Sequence, residues 1–274
     1  KAKTALINDN GYENPYVIFT INGEETVVTE YRIVGDSYVF DFSGLAPHVM
    51  GDTVSAVLYA TNNGVEYASE AKEYSVTSYC YTVLERYTTD AYAKLRTLIV
   101  DLLNYGAESQ KFMNYKVDAL VNASLTETQK AWGTTTDREL VNSLNVTYET
   151  IDNPTVTWKG AGLNLQESVG IRLKLAADSL EGLTVKVTGE AGEWTIDSAD
   201  FELTGNAYYV FLEGMNAGQM SKKVYVTAYR NGVAVSNTLC YSIESYAAQM
   251  QSSTISTLVK AMIRYGDSAK AFAG

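Results

Sequence analysis

The apolar positions of the chain follow two periods, and the change from one to the other occurs twice. Val76, Tyr79, Cys80, Val83, Leu84 and Tyr87 recur at three- and four-residue steps, which places them on one face of a helix. A second helix is predicted from Leu95, Leu98, Ile99, Leu102, Tyr105, Gly106, Ser109, Phe112 and Met113, and a third from Ile255, Leu258, Val259, Met262, Tyr265, Gly266, Ala269 and Phe272. Ahead of each helical stretch the period shortens to two. Strands are predicted over 16–21, 38–42, 55–61 and 65–75, and again over 169–175, 183–188, 194–196, 208–212, 224–229 and 233–242. Asn22-Gly23, Asn62-Asn63-Gly64 and Asn231-Gly232 supply hairpin turns, because both central positions of a tight hairpin favour Asn and Gly.

The two halves also match residue by residue. Tyr74-Ser75-Val76 answers to Tyr241-Ser242-Ile243, and Tyr79 to Tyr246; Thr97, Leu98, Tyr105 and Gly106 are identical to Thr257, Leu258, Tyr265 and Gly266. The segment 56–64 aligns with 224–232, and Tyr38-Val39-Phe40 with Tyr209-Val210-Phe211. A repeat of this length means two copies of one structural unit. The expected fold class is therefore α+β, with two pseudo-symmetric lobes, each an antiparallel β-sandwich followed by a helix pair: lobe 1 over 1–115, lobe 2 over 161–274, and an ordered connecting strap over 116–160. Ser75 and Ser242 stand where N-caps belong. Thr126 with Gln129 forms a capping box for a short helix through Trp132. Gly106 and Gly266, each inside a helix at the same repeat position, imply close packing at helix crossings.

Composition narrows the function. A net charge of −11 argues against nucleic acid and anionic membrane surfaces as partners. No apolar run is long enough for membrane insertion, and no signal peptide opens the chain. Lys1 is no natural start, so a fragment of a larger multidomain protein is expected. Cys80 and Cys240 occupy unmatched repeat positions (opposite Ala247 and Glu73), as two buried free thiols would. Two cysteines and one histidine cannot make a usual zinc site, no acidic loop has calcium-ligand spacing, and no cofactor is implied. His48, the single histidine, reads as a solvated loop residue, and there is no nucleophile elbow, P-loop, GxGxxG or His-Glu-x-x-His. A carboxylate-pair glycosidase leaves no local signature and ranks third among the readings. Asn122-Ala-Ser124 and Asn145-Val-Thr147 match the glycosylation triplet.

The repeat separates fold from site. Aromatic residues present in one copy only are the better functional candidates: Trp194 beside a hairpin turn, Trp132 and Trp158 in the unrepeated strap, and Tyr229, whose counterpart is Thr61. Flat indole and phenol faces stack on the C–H faces of sugar rings. The competing reading is that each tryptophan plugs a gap between strap and lobe.

Tyr74-Ser-x-x-x-Tyr79 paired with Leu102-x-Asn-Tyr-Gly-Ala-x-x-Gln-x-Phe112 resembles a module of secreted surface proteins of gut Firmicutes, as does Thr157-Trp158-Lys159-Gly160-Ala161. The second copy departs from the motif at Arg264 and Lys270. The two-lobed arrangement is similar to the starch-adherence proteins of amylosomes. That resemblance implies a non-catalytic, extracellular carbohydrate-binding module at the cell surface, binding α-1,4-glucan such as starch in a groove between the lobes or beside the strap. It transfers no contact residues. The rival is a structural or protein-binding spacer in a cell-surface protein.

Overall fold

The computed structural model describes residues 1–143, 147–165 and 169–274. Its class is α+β; among the described residues all strand pairs are antiparallel and there are six α-helices. By compactness the chain divides between Arg86 and Tyr87, so the second predicted helix groups with the later half of the chain.

The first unit holds β1 (Ala2–Lys3), α1 (Thr4–Asn8), β2 (Glu13–Ile21), β3 (Glu24–Val28), β4 (Arg32–Val34), β5 (Ser37–Val39), β6 (Val54–Asn62), β7 (Val65–Ala68), β8 (Lys72–Tyr74) and α2 (Val76–Arg86). One sheet has the order β1-β5-β4; the other is β3-β2-β6-β7, with β8 also on β6. Asn22 and Gly23 (φ 52° and 88°) and Asn63 and Gly64 (φ 52° and 77°) take the left-handed conformation at both turn positions, as the two-residue hairpins require. Ile7, Val17, Tyr38 and Phe40 form one buried cluster of this unit, and Val39, Met50, Cys80, Val83 and Leu84 are buried as well. Ser75 caps α2, accepting from the Ser78 amide at 3.0 Å. His48 lies half-buried in a 3-10 turn, not in a solvated loop. Burial pushes its pKa down, with Asp52 pulling the other way.

The second unit begins with α3 (Ala93–Met113) and α4 (Glu127–Lys130), then β9 (Thr147–Glu149), β10 (Val156–Leu165), β11 (Val169–Ala177), β12 (Leu183–Gly189), β13 (Trp194–Asp197), β14 (Glu202–Thr204), β15 (Ala207–Leu212), β16 (Val224–Arg230), β17 (Val233–Ala234), β18 (Thr238–Tyr241), α5 (Ile243–Met250) and α6 (Ser256–Ala273). Its sheets run β10-β11-β15-β14 and β13-β12-β16-β18-β9, with β17 on β16. Alternation decides the faces. Ile171, Leu173 and Leu175 of one sheet and Val185, Val187, Val224, Val226 and Ala228 of the other point into one core, which Ile243, Leu258 and Met262 of the helices complete. Each Val, Leu, Ile or Met among them, fully buried, contributes about 1.5–3 kcal/mol. The expected Thr126/Gln129 capping box forms, and Ser242 caps α5. Helices α3 and α6 meet through the repeat-matched Tyr105 and Tyr265, stacked at 5.8 Å. At Gly266 the close neighbour is not an α-helix but a short 3-10 helix, Ala217–Gln219: a Cβ there would lie 2.9 Å from the Ala217 carbonyl.

Tyr241 is the largest fully buried side chain, and its hydroxyl finds no hydrogen-bond partner among the described residues. Burial pushes its pKa up. An unpaired buried hydroxyl costs about 1–3 kcal/mol, and Phe keeps the ring volume. Tyr241→Phe is therefore expected to raise stability by about 1 kcal/mol in urea denaturation. A drop would mean that the hydroxyl is bonded to buried water.

Side chains of α3 and α5 lace the segment between residues 116 and 143. Gln110 of α3 is buried; its amide donates to the Ala119 carbonyl (3.3 Å) and accepts from the Val121 amide (2.9 Å). Asn104 accepts from Asn122 at 2.9 Å, Asp101 takes the Thr134 amide and hydroxyl at 2.9 and 2.7 Å, and Thr97 donates to the Trp132 carbonyl at 2.8 Å. Further on, Ser143 bonds Ser245. Asn122 of the first glycosylation triplet is thus engaged in packing, and Asn145 of the second lies outside the described residues.

Candidate functional site

The predicted site residues fall on four elements, each with its own neighbours. Trp158 pairs with Leu175 across β10 and β11, and so faces the core. Its indole N–H donates to the Asn237 carbonyl at 2.9 Å, and its ring packs half-buried against the core. Trp194 pairs with Val187 and also takes the core side, half-buried, with Gly192 against its ring. Trp132 carries the Arg96 guanidinium over its ring at 4.5 Å. Tyr229 alone lies on an outward sheet face: its cross-strand partner is Thr184, on the face opposite Val185 and Val187.

That outward face holds further aromatics. Because side chains alternate, Tyr225, Thr227 and Tyr229 of β16 share one side, with Thr184, Lys186 and Thr188 of β12 and Thr195 and Asp197 of β13 beside them. Tyr225 and Tyr229 are four residues apart, about 13 Å along the strand, which spans more than one sugar ring. From β9 comes Tyr148, 61% exposed, its ring 4.5 Å from that of Tyr225 at 42°. Lys186 holds its ammonium 5.0 Å from the Tyr229 ring. The face thus combines phenol rings, a row of threonine hydroxyls, one cation and one carboxylate, and it is suited to a neutral, hydroxyl-rich ligand. In the aligned stretch of the first half, Val57 and Thr61 stand in place of Tyr225 and Tyr229. Of the three tyrosines only Tyr229 was singled out from the sequence. Tyr225 was legible from the Val-Tyr-Val-Thr-Ala-Tyr alternation, whereas Tyr148 follows a stretch without periodicity.

Beside the strap lies a groove of about 500 Å³, lined in part by Asp137, Arg138, Lys260, Arg264 and Asp267. Its charges are committed to one another. Asp137 pairs with Lys260 (3.1 Å) and Arg264 (2.8 Å); Arg138 forks onto Asp267 (2.6 and 3.0 Å) and bonds Glu244. Burial acts to raise the Asp137 pKa, but the hydrogen bonds from Lys260 and Arg264 outweigh it and hold the carboxyl below its usual value. Asp267, then Glu244, hold the Arg138 guanidinium well above its own. This groove is an electrostatic clasp on the strap.

Among the described residues no three His, Cys, Asp or Glu side chains converge as a metal site, and no helix is long and apolar enough to cross a membrane. Cys80 and Cys240 are buried free thiols; burial pushes the Cys80 thiol up to about 12, so it is protonated at neutral pH. The chain matches no protein-family model and is similar to no curated protein.

Proposed function

We propose that the chain is a non-catalytic carbohydrate-binding module of an extracellular bacterial surface protein, and that its ligand is an α-1,4-glucan such as starch or a maltooligosaccharide. The observation that supports the reading is the outward sheet face carrying Tyr148, Tyr225 and Tyr229 among threonines. The resemblance of the helical motifs supports the choice of glucan. Within this proposal Tyr229, Tyr225 and Tyr148 contact sugar, and Trp158 and Trp194 pack the unit behind the face. The two lobes are proposed to descend from one pseudo-symmetric unit, since β6 and β16 each end in an Asn-Gly turn and each pair with the hairpin before them and the strands after. A crystal structure whose lobes fail to superpose would overturn that part.

Affinity electrophoresis of the whole chain against a panel of polysaccharides tests the function. Retardation by starch and not by cellulose or xylan is the expected result. Retardation by nothing favours the alternative, a structural or protein-binding spacer. One observation favours that alternative: the rings of Tyr225 and Tyr229 are each partly covered, by Tyr148 and Lys186.

A further inference from the structure

The first unit, residues 1–86, is strongly acidic. It carries twelve Asp and Glu against two arginines, Arg32 and Arg86, and three lysines, Lys1, Lys3 and Lys72. All three lysines line one cleft. The cleft holds about 580 Å³, and its walls are Val17, Phe19, Phe40 and Leu58. A second hollow of about 330 Å³ shares Leu6, Leu58 and Ser69 with it and continues toward the edge-to-face pair of Tyr12 and Tyr67. Together they form an elongated apolar space within the size range of small-molecule sites. Phe40 and Val17 belong to a buried cluster of this unit, and Phe19 stacks on Phe42 at 5.0 Å, so the walls are fixed and not loose surface.

The lysines come from different sheets. Lys3 is on β1 of the smaller sheet, and Lys72 opens β8 of the larger. Lys3 holds Asp36 at 2.6 Å and Lys72 lies 3.9 Å from Glu70, both pairs solvent-exposed. Exposed pairs of this kind contribute little and exchange partners readily. Lys1, Lys3 and Lys72 border this apolar space; Asp36 and Glu70 pair with Lys3 and Lys72, and Asp41, which Arg32 holds, lies within electrostatic reach of Lys1. All three lysines of the unit gather at this cleft, so an anion entering it meets ammonium groups.

We propose that this cleft binds a linear apolar chain ending in a carboxylate, the chemistry of a medium-chain fatty acid. The chain lies along Phe19, Phe40 and Leu58, and the carboxylate takes the place of Asp36 or Glu70 at Lys3 and Lys72. The site is independent of the tyrosine face of the second unit.

Isothermal titration with hexanoate, octanoate and decanoate, below their micellar concentrations, tests the proposal. Each added methylene buried in the cleft is worth about fourfold in affinity, so the dissociation constant should fall about sixteenfold per step of two carbons. Decanol should bind at least tenfold more weakly than decanoate. The double variant Lys3→Gln/Lys72→Gln should lose at least tenfold toward decanoate and bind decanol as before. Ala56→Trp, which fills the cleft, should abolish binding of both while the circular dichroism spectrum is retained. No binding of decanoate, affinity independent of chain length, or equal affinity for decanoate in the lysine variant would each overturn the proposal.

Discussion

Arg138→Ala is expected to lower the stability of the second unit by about 3 kcal/mol, the largest effect foreseen for any surface-connected residue. Glu244 on α5 is 6% exposed. Its carboxylate has two donors: Arg138, and the Val141 amide at 3.0 Å. Removing one partner of a buried pair typically costs about 3–5 kcal/mol, because the remaining charge stays buried without compensation. Arg138 is itself 39% exposed, so water reaches part of the vacated space and the lower end of that range applies. The same truncation releases Asp267 and loosens only the strap between Asp137, still held by Lys260 and Arg264, and Val141, still bonded to Glu244. A double-mutant cycle of wild type, Arg138→Met, Glu244→Leu and the double variant apportions the effect. Arg138→Met/Glu244→Leu should recover more than half of the loss, since replacing both members of a buried pair by apolar groups is often near neutral. Urea unfolding of the four proteins decides the matter. A single-variant loss under 0.5 kcal/mol would mean that water replaces the guanidinium without cost.

How much of this was legible in the sequence depended on the kind of interaction. Helices and most strands of the second half followed from period alone, because each buries one face, and Ser75, Ser242 and the Thr126/Gln129 box announced their helix starts. The strands at β1, β4, β9 and β14 are too short to show a period. The purpose of the repeated helical motif was not legible. Asn104 and Gln110 read as family signature, and in the fold they are the hooks that hold the strap. At the position of Asn104 the second copy has Arg264, which reaches Asp137 of the same strap. A matched position thus keeps its task while changing its chemistry, which a comparison of residue types cannot reveal. The tryptophans are ambiguous for a related reason: scarcity in a repeat marks a residue as special but does not say whether it faces a core or a ligand. The side of a strand decides that, and it depends on register: Trp194 pairs with Val187, inward, and Tyr229 with Thr184, outward.

The outward face yields the second large effect. Tyr148→Ala and Tyr229→Ala are each expected to weaken binding of a maltooligosaccharide at least tenfold, equivalent to about 1.4 kcal/mol, with melting temperatures unchanged. The reasoning starts from charge. A neutral glucan gains nothing from a net charge of −11, so flat apolar surface must supply much of the affinity, and an aromatic ring contributes about 0.5–1.5 kcal/mol beyond area burial. Tyr148 and Tyr229 stand toward opposite ends of the row, so each variant should shorten the footprint as well as weaken it, with a larger loss for long oligosaccharides than for maltotriose. Lys186 supplies the discriminating control. Its ammonium rests on the Tyr229 ring at 5.0 Å, an exposed contact worth about 0.5–1 kcal/mol that a stacking sugar must displace. Lys186→Ala should therefore strengthen binding by about two- to fivefold. Trp158→Ala and Trp194→Ala should lose binding only in step with folding, because both rings pack on the core and the Trp158 indole also holds the Asn237 carbonyl. Calorimetric titration with thermal melting of every variant reads all of these. If both tyrosine variants bind normally and a tryptophan variant loses binding while fully folded, the sugar sits on a tryptophan, and the outward face belongs to some other partner.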